Sequence, residues 1–313
     1  MFRGGRLGLV PSLLLAQLLA CGLACGRAQG VPDEELGDLV VETRTVEPPI
    51  DVARAATTAA ELGRALRQPY TKVIAALGPH TLAISSVTSV GEGSATGEDL
   101  GERTQLELGE GGAFHGLYTN TADYGREVTS IGGRLYLRPR YQRWHGRAPE
   151  GPDEPATLRD GFALPLAATW DLLAPGAELT DKGASQHAGR AARTIAIALA
   201  PSPASNPPEK LRQRAWREGR VIEAVSGEIV LDAASGAPLA VQLAGTVAFS
   251  RDGKRFRMKL SVTSTVTAPG TAVAIATADP AEVVATPERL REVDDRDLLL
   301  EGIAPPAAKG DAP

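Results

Sequence analysis

The feature that most constrains this chain is a series of segments in which apolar and polar residues alternate, separated by short turns rich in glycine and aspartate. A period of two places the apolar side chains of a β-strand on one face, and paired glycines favour a tight hairpin. Residues 128–137 show the pattern around Gly132-Gly133, and residues 229–262 repeat it around Asp232 to Gly236 and around Asp252-Gly253. The sequence therefore predicts consecutive antiparallel strands with one buried and one wet face.

Further positions extend this prediction. Earlier strands are indicated by Leu82, Ile84 and Val87, and by Leu106 and Leu108, and a later one by Arg193 to Leu199. The residues expected on the wet face are Gln242, Arg257, Lys259 and Ser261.

Helices are predicted before and between the two groups of strands. An apolar stripe at spacings of three and four runs from Val52 to Leu77, where Pro69 is expected to interrupt the helix. A second helical segment spans Leu158 to Leu173, and a third begins near Pro287. This order predicts the α+β class: a curved antiparallel sheet, or incomplete barrel, with helices across its concave face.

The N-terminus has the pattern of an export signal that ends in a lipidation site. Arg3 and Arg6 precede an apolar run, which closes on Leu18-Leu19-Ala20-Cys21, the pattern of a bacterial lipobox. Cys21 is the predicted lipidation site, and Cys25 is a weaker alternative. Pro11 and Gln17 interrupt the run and disfavour an uncleaved membrane-spanning anchor. We therefore expect a signal peptide over residues 1–20.

The rest of the chain is expected to form one domain at the cell envelope. Residues 21–50 are predicted to be a flexible tether, residues 51–300 a single α+β domain and residues 301–313 a disordered tail. Both cysteines lie in the signal region, so the domain has neither a disulfide framework nor a thiolate metal site. Gly22 stands where aspartate would retain a lipoprotein at the inner membrane, which favours the outer membrane, facing the periplasm. Loss of the signal changes the net charge from −5 to −7, so no nucleic-acid partner is expected.

Catalytic motifs are missing from the sequence. His80, His115, His145 and His187 are too far apart to form a helical metal-ligand pair. The glycine-rich segment 91–97 has the wrong spacing for a dinucleotide fingerprint, and no nucleophile elbow is present. We therefore expect no enzyme activity, no metal and no cofactor; a hydrolase acting on envelope polymers is the disfavoured alternative.

Aromatic and basic residues are concentrated between Phe114 and Trp144. The predicted ligand or partner patch in this region consists of Tyr136, Arg138, Arg140, Tyr141 and Trp144. One interpretation is an ordinary strand, in which Leu135 and Leu137 face the core while the intervening residues face solvent. The other is a rim of guanidinium groups beside an apolar hollow, suited to anionic lipid head groups or a carboxylate-bearing polymer.

With these features the chain resembles the LolA and LolB lipoprotein carriers and the mycobacterial LppX/LprG lipoproteins. The likeness rests on the signal with Cys21, the helix after the tether, and the segments Glu127 to Tyr136 and Gly227 to Leu239, and it covers about Val52 to Val284. It implies an incomplete barrel with a helical lid around a cavity for acyl chains. Lipids or lipidated proteins would be handed on from it without covalent chemistry.

Two classes of function follow. The first is a membrane-anchored, non-enzymatic protein that binds or carries lipid or a lipidated ligand, which predicts a pocket of roughly 300–1,000 Å3 with an apolar lining. The second is an anchored interaction or structural protein of the envelope, which predicts a filled core and an exposed patch around Tyr136, Arg138, Tyr141 and Trp144.

Overall fold

The fold is an open antiparallel sheet with helices on one face. A computed structural model of the chain describes residues 48–95 and 97–285. The helices are α1 Val52–Ala55, α2 Ala59–Leu66, α3 Tyr70–Leu77, α4 Glu154–Asp160 and α5 Leu164–Leu173. The strands are β1 Thr81–Glu92, β2 Asp99–Leu108, β3 Phe114–Asn120, β4 Gly125–Ile131, β5 Arg134–Pro139, β6 Trp144–Arg147, β7 Ala177–His187, β8 Arg190–Leu199, β9 Val221–Asp232, β10 Pro238–Arg251, β11 Lys254–Thr267 and β12 Val283–Ala285.

Hairpin connections build the sheet from two halves. Its strand order is β12-β6-β5-β4-β3-β2-β1-β11-β10-β9-β8-β7. The strands β1 to β6 and β7 to β11 each follow one another as antiparallel neighbours, and β1 pairs with β11 to join the halves. Only the short pairing of β12 with β6 is parallel among the described strands. The two edges, β12 and β7, remain apart, which confirms the predicted incomplete barrel of the α+β class.

The glycine turns lie where the sequence placed them. Gly132 and Gly133 have φ of 58° and 72°, and they connect β4 to β5 with Ile131 opposite Arg134. The turn at Asp252-Gly253 connects β10 to β11 with Arg251 opposite Lys254. Both residues of each turn have positive φ, which glycine adopts without steric cost and which the tight hairpin requires.

The two helical segments are each broken, for identifiable reasons. Pro69 precedes α3 and separates it from α2, as predicted. A second break follows Ala55, at the end of α1, whose first turn is capped by the Asp51 carboxyl group accepting from the Arg54 amide at 3.0 Å. The segment predicted as one helix from Leu158 to Leu173 consists of α4 and α5, and Pro165 lies in the first turn of α5.

The core lies between the helices and the concave face of the sheet. Leu62 of α2, Trp170 and Leu173 of α5, and Ile229 and Leu239 of the sheet are buried together in one cluster. Trp170 also donates its indole N–H to the Ala59 carbonyl oxygen at 3.2 Å, which links α5 to α2. The other face carries Gln242, Arg257 and Lys259, all exposed as predicted. None of the helices in residues 48–285 is long and apolar enough to cross a membrane.

Some elements differ from the prediction. Strands β3, β6, β7 and β12 were not predicted; β7 forms an edge of the sheet, and its pairing with β8 is shifted by a bulge between Asp181 and Gly183. Several predicted features lie outside the described residues: the signal peptide with Cys21 and Cys25, the part of the predicted tether up to residue 47, and the helix and tail predicted after residue 285.

Candidate functional site

A hollow of about 640 Å3 lies between α5 and the concave side of the sheet, on strands β1 to β4 and β11. This volume falls within the usual range for small-ligand sites, roughly 300–1,000 Å3. The larger apolar side chains that line it are Leu100, Phe162, Leu164, Leu172, Met258 and Leu260. We refer to this space, with these residues, as the hollow.

The hollow forms where the inward side chains of the strands become small. On β1, the inward residues change from Leu82 and Ile84, which are buried in the core, to Ser86 and Thr88, which line the hollow. The register of β1 with β2 continues without a shift from Thr81 to Ser89. The empty volume therefore results from side-chain size and not from a change in the backbone path.

The floor of the hollow carries a chain of polar contacts. The Glu102 carboxyl group accepts from the Ser86 hydroxyl at 3.0 Å and from the Tyr118 hydroxyl. The Asn120 side-chain amide donates to the Tyr118 hydroxyl at 3.4 Å. Burial and the hydrogen bond to Glu102 raise the pKa of Tyr118 to about 12. Tyr118 therefore remains a neutral donor at physiological pH, and the floor is polar within an otherwise apolar lining.

The roof of the hollow depends on a close approach of Phe162 to the sheet. The Phe162 ring lies directly over Gly116 of β3, where a Cβ atom would come within 2.3 Å of it. Arg126 of β4 lies on the same face, with its guanidinium carbon 5.1 Å from the centre of the Phe162 ring. Glycine at position 116 thus allows the roof to rest on the sheet at this point.

Arg217 lines the hollow on the side of β10 and β11. It ends a 3-10 helix, Arg212–Arg217, in which the neighbouring Trp216 packs on Phe249 of β10 with ring centres 4.4 Å apart. Arg220, just beyond, donates to the carbonyl oxygens of Asp171 and Leu172 at 2.9 and 3.2 Å. These bonds satisfy carbonyl groups at the C-terminal end of α5 and hold the 3-10 helix against it.

The predicted patch lies on the opposite face of the sheet from the hollow. Leu135 and Leu137 are buried in the core, so Tyr136 and Arg138 point to the convex side. Arg138 pairs with Glu127, and its guanidinium carbon lies 4.5 Å from the Trp144 ring centre. Trp144, expected at the surface, is only 6% exposed.

The patch is most exposed at Tyr141, while Tyr136, Arg138 and Arg140 are partly exposed. Tyr141 is 78% exposed and donates its hydroxyl hydrogen to Asp123 at 2.9 Å. Arg140 contacts the same Asp123 at 3.0 Å and lies 4.9 Å from the Tyr141 ring centre. The predicted patch therefore consists of two separate contacts, one between Arg140 and Tyr141 and one between Arg138 and Trp144.

Three of the four histidines make hydrogen bonds. His80 is buried against the Tyr70 hydroxyl, with Nε2 2.7 Å from its oxygen. His115 lies between Glu107 and Glu127 on the convex face, at 3.4 and 2.8 Å, and the hydrogen bond to Glu127 raises its pKa. His187 contacts the Val266 carbonyl oxygen at 3.3 Å. In residues 48–95 and 97–285, no three histidine, cysteine or acidic side chains are grouped so that they could hold a metal ion.

Comparison with known proteins gives matches among solved structures. No protein-family model and no curated protein matches the sequence. LprF from Mycobacterium bovis matches over 71% of this chain and 98% of its own, at 14% identity and a TM-score of 0.29. LppX from Mycobacterium tuberculosis matches over 69% and 99%, at 13% identity and a TM-score of 0.28. A LolA superfamily protein from Nitrosomonas europaea matches over 60% and 87%, at 5% identity and a TM-score of 0.19.

These matches include the carrier groups that the sequence resembles. Their TM-scores do not exceed 0.29, so they carry no conclusion about ligand or activity. The fold class rests on the strand order and on the helices that cover one face of the sheet.

Proposed function

We propose that the protein is a membrane-anchored envelope lipoprotein that binds or carries apolar chains of a lipid or lipidated ligand in the hollow, without catalysis. The observation that carries this proposal is the hollow of about 640 Å3 under α5, with leucine, methionine and phenylalanine in its lining. A filled core would have opposed it.

The free energy available from such a site is sufficient for binding. Each methylene group transferred from water to an apolar site contributes about 0.8 kcal/mol. Roughly ten buried methylenes would supply about 8 kcal/mol, which corresponds to a micromolar dissociation constant before the entropy of association is subtracted. The polar floor would tolerate an apolar chain, because the Tyr118 hydroxyl and the Glu102 carboxyl group already bond to one another and neither is left unpaired.

Absence of catalysis is part of the proposal. None of the histidines in the described part of the chain lines the hollow, so the contact of Ser86 with Glu102 has no imidazole base beside it. The raised pKa of Tyr118 makes its hydroxyl a poor source of a nucleophilic oxyanion.

A neutral fluorescent probe tests binding in the hollow. We expect the methyl ester of parinaric acid to bind the purified full chain saturably, with increased emission as the polyene leaves water. Ala168→Trp places a large side chain in the hollow and should abolish the increase, whereas Ala75→Trp, on the exposed side of α3, should preserve it. An unchanged signal in Ala168→Trp would contradict the proposal.

Anchoring at the envelope depends on Cys21 in this proposal. A diacylglyceryl group on the thiol would provide two chains, which is enough for stable attachment where one is marginal. We expect cells that export the chain to incorporate labelled palmitate into it. The label should be absent from the Cys21→Ser variant and present in the Cys25→Ser variant. Fractionation of the two membranes then tests the proposed outer-membrane location, facing the periplasm.

A second candidate function is capture of an envelope partner by the patch of Tyr136, Arg138, Arg140, Tyr141 and Trp144. The exposure of Tyr141 favours it, because aromatic side chains held in place by polar contacts are common binding hot spots. Tyr141→Ala should then abolish partner capture without loss of stability. Trp144→Ala is a poor test, since this ring is buried.

A further inference from the structure

Arg217 brings an incompletely satisfied cation to the lining of the hollow. Its Nε atom is buried and has no hydrogen-bond partner within the described residues. The carboxyl group nearest to its guanidinium, that of Glu209, lies 3.8 Å from one terminal nitrogen, beyond hydrogen-bond distance. A buried guanidinium donor without an acceptor is rare in folded proteins, and a bound water or ion is one explanation for it.

The surroundings of Arg217 add positive charge. Arg220 is buried next to it and makes its hydrogen bonds with main-chain carbonyl oxygens of Asp171, Leu172 and Arg217. Burial lowers the pKa of Arg220, and the charge of Arg217 lowers it further. The carboxylates of Glu209 and Asp171 oppose this effect, but Asp171 also pairs with Arg67, so an additional anion would be favoured at this end of the hollow.

The opposite side of the hollow carries charges of both signs, the Glu102 carboxyl group of β2 and, beyond it, the Arg126 guanidinium group of β4. Glu102 lies on β2, whereas Arg217 lies on the side of β10 and β11, with β1 between them in the sheet. The Glu102 carboxyl group already accepts two hydroxyl hydrogen bonds and would repel an anion. Between Glu102 and Arg217, Leu260 and Leu172 provide apolar surface. The hollow thus has Arg217 at one end, apolar surface beside it, and the Glu102 carboxyl group between Arg217 and the more distant Arg126.

We infer that the hollow binds an anionic amphiphile, whose carboxylate or phosphate group is held by Arg217 while its apolar chain extends under α5. This inference rests on the proposed function and adds the charge and orientation of the ligand. A charge-assisted hydrogen bond in a site of low dielectric constant is stronger than a neutral one and requires alignment with the guanidinium plane.

The test compares parinaric acid with its methyl ester, since the two probes share a chain and differ in the charge of the head. For the full chain we expect the acid to bind about tenfold more tightly than the ester, as one charge-assisted hydrogen bond would produce. Equal affinities would overturn the inference and leave the proposed function intact. Failure of both probes to bind would overturn the proposed function itself.

Variants test whether Arg217 causes the preference for parinaric acid over its methyl ester. Arg217→Gln should make the acid and the ester bind with similar affinities, whereas Arg214→Gln, at an exposed residue of the same 3-10 helix, should retain the preference for the acid. Glu209→Gln should increase the preference, because it removes a competing negative charge, and it provides a second test if Arg217→Gln does not fold. An unaltered acid preference in Arg217→Gln, or a decrease in Glu209→Gln, would contradict the assignment.

The source of the anion is tested by competition. Inorganic phosphate in excess should leave the acid bound, because most of the affinity of an amphiphile comes from its chain. Displacement by phosphate alone would indicate a site for free anions and overturn the assignment to an amphiphile.

Discussion

The two ends of the concave face lie on the same strands, yet one is a filled core and the other contains the hollow. At the filled end, β1 and β2 present Leu82, Leu106 and Leu108, which are buried in one cluster with Leu62 of α2 and Val73 of α3. Toward the hollow the same two strands present Thr88 and Leu100, together with smaller or polar residues, in an unbroken register. The comparison indicates that a binding space can be made within one sheet by reducing a few side chains, while the filled end holds the strands in place.

The largest expected effect is on the free energy of unfolding, where the same leucine-to-alanine substitution should have different results in the filled end and in the hollow. Leu62→Ala, in the filled end where the side chain is 0% exposed, should reduce the free energy of unfolding by about 2–5 kcal/mol, through lost burial and a new cavity. Leu100→Ala, where the side chain is 37% exposed in the hollow, should change it by at most about 0.5 kcal/mol. Urea unfolding measures both values, and similar losses would mean that the two ends are equally packed.

A smaller effect is expected when the hollow is made to resemble the filled end. Thr88→Leu adds apolar volume next to Leu260, so we expect a gain of about 0.5–2 kcal/mol in the free energy of unfolding, together with loss of probe binding. Thr263→Leu, on the convex face, is the control and should leave probe binding unchanged. A loss of stability in Thr88→Leu would show that the polar floor requires this threonine.

The smallest expected effect is the pH dependence of stability that results from His80, which is buried in the filled end. The Gly78 carbonyl oxygen accepts a hydrogen bond from Nδ1 of His80, so Nε2 is the acceptor for the Tyr70 hydroxyl, and burial lowers the pKa of this neutral imidazole. The folded protein therefore binds fewer protons here than the unfolded chain. The contribution to stability is present above about pH 6.5 and is lost as the pH falls toward the lowered pKa, by about 1.4 kcal/mol for each unit of difference.

Comparison with a variant isolates this effect. Between pH 7 and pH 5, the wild type should lose more stability than His80→Gln, which has no titrating group at this position, while His187→Gln should retain the full loss. Parallel curves for the wild type and His80→Gln would indicate that the buried imidazole does not contribute.

Much of the sheet was predictable because its turns contain glycine and its buried strands alternate strongly. The hairpin at Gly132-Gly133 shows this, and so does the inward orientation of Leu135 and Leu137. Strand β7 was not predicted, because as an edge strand it has no residue in the fully buried class and therefore little hydrophobic alternation. Its place in the sheet depends on pairing with β8, and this pairing cannot be predicted from the residues of β7 alone.

The site was less predictable than the fold. Ser86 and Thr88 resemble residues of a wet strand face, and only their position beside α5 shows that they line a hollow. Arg217 follows a proline-rich segment and has no neighbouring pattern, so its contribution depends on tertiary packing of Trp216 on Phe249. The sequence did indicate arginine beside an apolar space, but the patch that it suggested lies on the other face.

The bulge in β7 affects how the molecule behaves at high protein concentration. Within the described part of the chain, no strand pairs with the outer side of β7, and such an open edge invites intermolecular β-pairing. The irregular backbone at Asp181 and Gly183, with the exposed Lys182 between them, breaks the straight row of donors and acceptors that another copy would need. Restoring a regular edge there would therefore favour aggregation of a protein that is otherwise correctly folded.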